Sequence, residues 1–188
     1  MKHNINSCFV DNVIKKDLFK SSLKKINFII DQIKKSKEPL LLSFLNQFNN
    51  YQKEKLNKLA SYYQKNFKDV IILGTGGSSK AGRTFVQIAY RTFGRNPKFP
   101  KITFLENIDF QDFNDLFKKI NLKKTGIIVI SKSGETNETL VQFLIFLSKY
   151  SENFQKKELQ KHFTVITKKD SSSLKNLAND FSIGVIDL

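Results

Sequence analysis

Five short apolar runs rich in β-branched residues do most to restrict what this chain can fold into: Val70–Leu73, Ile102–Leu105, Ile127–Ile130, Phe163–Ile166 and Ile183–Ile186. Each is too short for a core helix, and each is continuously apolar. Between them lie stretches with helical spacing, among them Ala81–Phe93, Phe110–Ile120 and Thr136–Tyr150. Apolar strands alternating with helices build βαβ units, whose parallel sheet is buried on both faces. The expected fold is therefore α/β, a three-layer sandwich with a mostly parallel sheet of about five strands.

A different period precedes the first strand. Residues 9–66 read as helical. Leu23, Ile26, Ile30 and Ile33 share one helix face, with Lys and Asp opposite. Pro39 is tolerated in the first turn of a second helix carrying Leu41, Phe44, Leu45 and Phe48 on one face. The expected organisation is a helical pair over residues 1–66 followed by an α/β domain over residues 67–188. No apolar run reaches the roughly 20 residues that a bilayer-spanning helix needs. The N-terminus has no signal-peptide core, so the chain is expected in the cytoplasm. The chain ends just after its fifth apolar run, an abrupt stop for such a domain.

Thirty-two Lys and Arg against seventeen Asp and Glu give a net charge of +15. The lysines fall in scattered pairs such as Lys15-Lys16, Lys118-Lys119 and Lys123-Lys124, mostly on helical stretches. No Arg-rich arm is present, and Arg is the residue suited to bidentate reading of bases and phosphates. Solvated helix faces account for the pairs more simply than a nucleic-acid partner does. Cys8 is the single cysteine, which excludes an internal disulfide and a cysteine-based zinc site.

Two strand-to-helix turns carry the chemistry. The first, Gly74-Thr75-Gly76-Gly77-Ser78-Ser79, follows the first strand. Its glycines let backbone approach a ligand, and the amides of the helix it opens favour an anion. Such turns at the carboxyl ends of strands are where open α/β sheets bind ligands. Ser78 and Ser79 add hydroxyls; tight packing of strand on helix is the plainer use of Gly74 and Gly76. Neither common nucleotide motif fits. A dinucleotide fingerprint would need glycine where Ser79 stands, and its ribose-binding acid about 20 residues further on, nearer than Glu106. A P-loop would need a closing Gly-Lys-Ser/Thr.

The second turn, Ser131-Lys132-Ser133-Gly134-Glu135-Thr136-Asn137-Glu138-Thr139, follows the third strand. The hydroxyls of Ser131, Ser133 and Thr136 can converge on one tetrahedral oxyanion, with Lys132 adding charge and the amides around Gly134 a nest. Ordinary capping, with Ser133 as N-cap and Thr136 in the first turn, would use one hydroxyl rather than three.

The run Ser131–Thr139 is similar to the phosphate-binding signature of sugar isomerase (SIS) domains. Gly74–Ser79, with Gly82 following, resembles the Gly-x-Gly-Gly-Ser turn of the glucose-6-phosphate isomerase family. In order and spacing the likeness covers essentially the whole chain, as an N-terminal portion of such an enzyme. It implies a flavodoxin-like SIS domain. Gly76, Gly77 and Ser78 would face the sugar and phosphate, and Ser131, Lys132, Ser133, Gly134, Glu135 and Thr136 would surround the phosphate. Glu138 matches an acid that helps to order the catalytic site. Ser133-Gly134-Glu135 stands where many members of the family have Thr-Phe-Thr, and is closer to glucosamine-phosphate SIS domains. The family's Gly-Gly-Arg motif, base glutamate and ring-opening His and Lys have no counterpart here. His3 and His162 match no catalytic position, and His162 is expected to be structural or at the surface.

The implied reaction moves a proton between C1 and C2 of a hexose phosphate through an enediol. It needs a carboxylate base, positive charge at the developing oxyanion, and a phosphate clamp holding the sugar in register. The chain supplies the clamp and no catalytic residue beyond the supporting acid Glu138. It is expected to bind glucose 6-phosphate or fructose 6-phosphate weakly when alone. No metal or other cofactor is implied. The expected partners are a second copy or a complementing C-terminal half, and the truncated domain is expected to expose apolar surface. The alternative is a non-catalytic SIS module that senses a phosphosugar.

Overall fold

The computed structural model describes residues 15–35, 50–168 and 170–187. The chain separates into two compact units, Met1–Leu56 and Asn57–Leu188. In the first, α1 (Lys16–Lys35) leaves Leu23, Ile26 and Ile30 exposed along its apolar face. The expected apolar face at Leu41, Phe44, Leu45 and Phe48, like Pro39, lies outside the described residues. Helix α2 (Asn50–Asn66) runs across the boundary into the second unit.

Five strands follow: β1 (Asp69–Leu73), β2 (Lys101–Leu105), β3 (Thr125–Ile130), β4 (Phe163–Thr167) and β5 (Gly184–Asp187). All pair in parallel, in the order β2-β1-β3-β4-β5. The intervening helices are α3 (Lys80–Phe93), α4 (Phe110–Lys119), α5 (Asn137–Ser151), α6 (Lys156–His162) and α7 (Ser173–Asp180). This is the expected flavodoxin-like, three-layer sandwich. Helices α6 and α7 are short, at seven and eight residues.

Alternation along the strands divides the core. Ile71, Leu73, Ile127, Val129 and Val165 face α4–α7, where Phe113, Phe143, Phe146, Tyr150 and Leu174 complete the main cluster. Val70, Ile72 and Ile128 face the other way and pack with Tyr63 and Phe67 from α2 and the adjoining turn. Burying a large apolar side chain is worth about 1.5–3 kcal/mol, so α5, which buries Phe143, Phe146, Leu147 and Tyr150, is firmly anchored. Helix α3 buries none of its residues. A largely apolar groove of about 610 Å³ runs between α2, α3 and the sheet, lined in part by Val70, Ile72, Val86, Tyr90 and Ile102.

His162 is structural. It is buried, its Nδ1 lies 2.9 Å from the Thr125 carbonyl, and its ring packs against Phe67, Tyr150 and Phe154. A carbonyl only accepts, so Nδ1 carries the proton. Among the described residues no helix is long and apolar enough to cross a membrane.

Candidate functional site

Because β1 lies between β2 and β3, the chain leaves β1 in one direction and later returns to its other side. The crevice at this switch point opens between the carboxyl ends of β1 and β3. Both turns singled out in the sequence leave the sheet there. The first turn starts against the end of β3: a Cβ on Gly74 would sit 2.8 Å from the Ile130 carbonyl oxygen. Only glycine allows β1 to end this close to β3.

The first turn continues as a 3-10 turn over Gly76–Ser78, with Gly76 in the left-handed region at φ 57°. Gly76 and Gly77 are exposed and Ser78 is half-buried. Ser79 is fully buried and its hydroxyl is committed to Glu106 at the end of β2. It therefore braces the turn rather than adding a donor for a ligand. Arg83 Nη1 donates to the other Glu106 oxygen at 2.7 Å. The hydrogen bond from Ser79, together with Arg83, holds the Glu106 carboxyl below its ordinary range. Glu106 thus has a structural task, tying the start of α3 to β2.

In the second turn the three hydroxyls do converge. Thr136 Oγ1 lies 3.2 Å from Ser131 Oγ and 3.4 Å from Ser133 Oγ. Ser131 is buried, its hydroxyl accepts from the Gly134 N–H at 3.1 Å, and its own N–H donates to the Ile166 carbonyl of β4. Ser133 accepts from the Glu135 N–H at 3.2 Å. Lys132 is exposed. Thr136, rather than Ser133, occupies the N-cap of α5, and its side chain makes no capping bond. Its hydroxyl belongs to the cluster instead. Glu138, in the first turn of α5, is exposed.

A third loop, after β4, supports the second turn. Gly134 has φ 70°, its carbonyl accepts from the Leu174 N–H at 3.0 Å, and Ser172 packs where a Cβ would stand. The Glu135 carboxylate accepts from the Ser173 N–H and from the Ser173 hydroxyl, both at 2.7 Å. Those bonds hold its carboxyl below the usual range. Glu135 thus points to the start of α7, and serves there as a brace. Sequence reasoning passed over Ser172 and Ser173. Their signal was the run Ser171-Ser172-Ser173 in the loop after a strand, at the same end of the sheet as the other two turns.

Taken together, the site offers three hydroxyls within reach of one another, the exposed Lys132 between two of them in sequence, and a glycine-rich turn that starts against the end of β3. Such a set matches a tetrahedral anion.

Comparisons with known proteins identify the family. The sequence pattern described as phosphoglucose isomerase matches residues 37–182. The chain is 32% identical over 170 residues to a probable glucose-6-phosphate isomerase of Methanococcus maripaludis, covering 89% of this chain and 36% of that protein. It is 31% identical over 135 residues to the glucose-6-phosphate isomerase of Staphylococcus epidermidis, covering 70% of this chain and 30% of the relative. The chain thus spans about a third of the length of these relatives. Among solved structures, a glucose-6-phosphate isomerase from Chlamydia trachomatis superposes with a TM-score of 0.56 at 25% identity, over 72% of this chain and 25% of that one. A hypothetical protein from Thermus thermophilus shares the fold with a TM-score of 0.69 at 20% identity, over 90% of this chain and 41% of that one. By sequence and by fold, the chain belongs to the phosphoglucose isomerase family.

Proposed function

We propose that the paired turns clamp the phosphate of a hexose phosphate, as part of a cytoplasmic glucose-6-phosphate isomerase that interconverts glucose 6-phosphate and fructose 6-phosphate. The observation that carries this reading is the close approach of Gly74 to Ile130, the residue directly before Ser131. In this reading those hydroxyls, with Lys132 and the amides near Gly134, hold the phosphate. Gly76, Gly77 and Ser78 border the sugar, and Glu135 keeps the turn in shape from behind. Clamping fixes C1 and C2 relative to a base, which makes the proton transfer effectively intramolecular. The base is not among these residues; Glu138 is assigned the lesser task of ordering the catalytic centre. The phosphosugar-binding domain is taken as residues 67–188.

The alternative reading is a non-catalytic module that senses a phosphosugar through the same turns. Calorimetric titration with fructose 6-phosphate against inorganic phosphate tests the clamp, and a coupled isomerase assay separates the two readings. Saturable fructose 6-phosphate binding, abolished in Ser131→Ala/Thr136→Val, is expected. No binding at millimolar ligand would refute both versions. Binding without turnover, both alone and with a complementing C-terminal half, would leave the sensor reading standing.

A further inference from the structure

The turns at the carboxyl end of the sheet use little of the chain's positive charge. At the opposite end a cleft of about 410 Å³ is lined by Lys65, Lys68, Arg95, Lys98 and Lys124, with no carboxylate among its lining residues. The sheet itself assembles part of this cluster. The Lys68 N–H donates to the Lys124 carbonyl at 2.8 Å, and the Lys101 N–H to the Lys68 carbonyl at 2.8 Å. Residues leading into neighbouring parallel strands are thereby set side by side. Asp69 follows Lys68 directly, but strand alternation sends its side chain to the opposite face.

Arg95 and Lys98 come from the loop before β2, and that loop is braced. The Asn96 side chain accepts from the Lys98 N–H at 3.0 Å, and its carbonyl accepts from the Phe99 N–H at 3.1 Å. Pro97 and Pro100 restrict it further. All five cations are exposed, and none makes an ion pair with any of the described residues. The carboxyl end of α2 contributes roughly half a negative charge, far too little to balance five positive ones. A single phosphate monoester carries about −2 at neutral pH and would leave most of the cluster uncompensated. Lysines predominate, and as point charges on flexible stems they suit phosphates without demanding a fixed planar geometry.

We propose that this cleft is a second anion site, which binds a linear oligophosphate chain, free or as the tail of a nucleotide. It lies at the other end of the strands from the hydroxyl cluster, so it stands or falls independently of the isomerase reading.

The probe is inorganic tripolyphosphate, titrated calorimetrically at low salt into the whole chain, the charge-reversal variant Lys68→Glu/Lys124→Glu, and Ser131→Ala/Thr136→Val. Both reversed positions are exposed, and circular dichroism checks that the variant folds. Binding should weaken about tenfold or more in the charge-reversal variant and persist in the hydroxyl variant. It should also weaken as salt is raised. Adenosine triphosphate binding as tightly as tripolyphosphate, or tighter, supports the proposal and favours a nucleotide as the source; weaker binding favours the free chain. Three results would overturn it: no tripolyphosphate binding at millimolar concentration, equal binding to the folded charge-reversal variant, or loss in the hydroxyl variant. Retention of a DNA oligonucleotide through Lys68 and Lys124 without tripolyphosphate binding would overturn it as well.

Discussion

Gly74, directly after β1, passes close to Ile130 at the end of β3, with 2.8 Å between the place a Gly74 Cβ would take and the Ile130 carbonyl oxygen. Alanine at 74 therefore meets peptide backbone, which cannot swing aside as a side chain would. Overpacking of this kind costs roughly 1–3 kcal/mol. Gly74→Ala is expected to lower the urea midpoint and, in protein that remains folded, to weaken fructose 6-phosphate binding by parting the turns. An unchanged midpoint and unchanged affinity would contradict the contact.

Gly134 is constrained twice, by its left-handed backbone and by Ser172. An alanine pays about 1–2 kcal/mol for that backbone conformation alone, and its Cβ would also lie 2.5 Å from Ser172 Cβ. Gly134→Ala should thus destabilise the protein by more than the backbone cost. Adding Ser172→Ala should not rescue it, because that Cβ remains. Denaturant melts of the single and double variants decide the matter; full recovery in the double would place the whole conflict on the hydroxyl.

The sandwich and the two turns were legible because each rests on a local pattern. Val70–Leu73 and Ile127–Ile130 are continuous apolar runs, and each is followed at once by residues that break a strand and are of types suited to an anion. What stayed hidden depends on which loops the fold brings together. Ser79 looked like a free donor, yet Glu106, 27 residues away in sequence, occupies it. Thr136 rather than Ser133 holds the N-cap position of α5, yet its hydroxyl meets those of Ser131 and Ser133 and makes no capping bond. The brace from Ser173 to Glu135 spans 38 residues, and no spacing rule links the two. The helical face expected at Leu41–Phe48 lies outside the described residues.

Tyr63 fastens α2 to the sheet. Its buried hydroxyl donates to the Ile127 carbonyl at 2.8 Å and lies 3.0 Å from Thr164 Oγ1. Burial pushes the phenol well above its ordinary value, so it stays neutral at working pH. Tyr63→Phe leaves a buried carbonyl short of its donor, at a cost of roughly 1–3 kcal/mol. That loss should be the same at pH 6 and pH 8, as read from chemical melts; a pH-dependent loss would mean that the phenol ionises.

Helix α3 presents Phe85 and Phe93 at 73% and 85% exposure, with Ile88 between them at 55%. Contiguous exposed apolar side chains drive association. The protein is expected to self-associate as its concentration rises, and Phe85→Lys/Phe93→Lys to shift light scattering towards the monomer without altering the circular dichroism spectrum. A wild-type protein that stays monomeric in concentrated solution would refute this.

Glu135 makes the brace on α7 dependent on pH. Hydrogen bonds from Ser173 hold its carboxyl below the usual 4.5 in the folded chain, and Glu106 is lowered in the same direction, chiefly by Ser79. Above the unfolded value both carboxylates are ionised in either state, and the folded state keeps the full benefit of their bonds. As the pH falls below 4.5, the unfolded chain takes up protons first, and the benefit drains away until the lower folded value is passed. Glu135→Gln should therefore lower the Tm at neutral pH by an amount that shrinks steadily below pH 4.5. Thermal melts of variant and wild type across the acid range measure it. A Tm difference that holds constant down to the acid limit would show that the charge on Glu135 plays no part in holding α7 to the second turn.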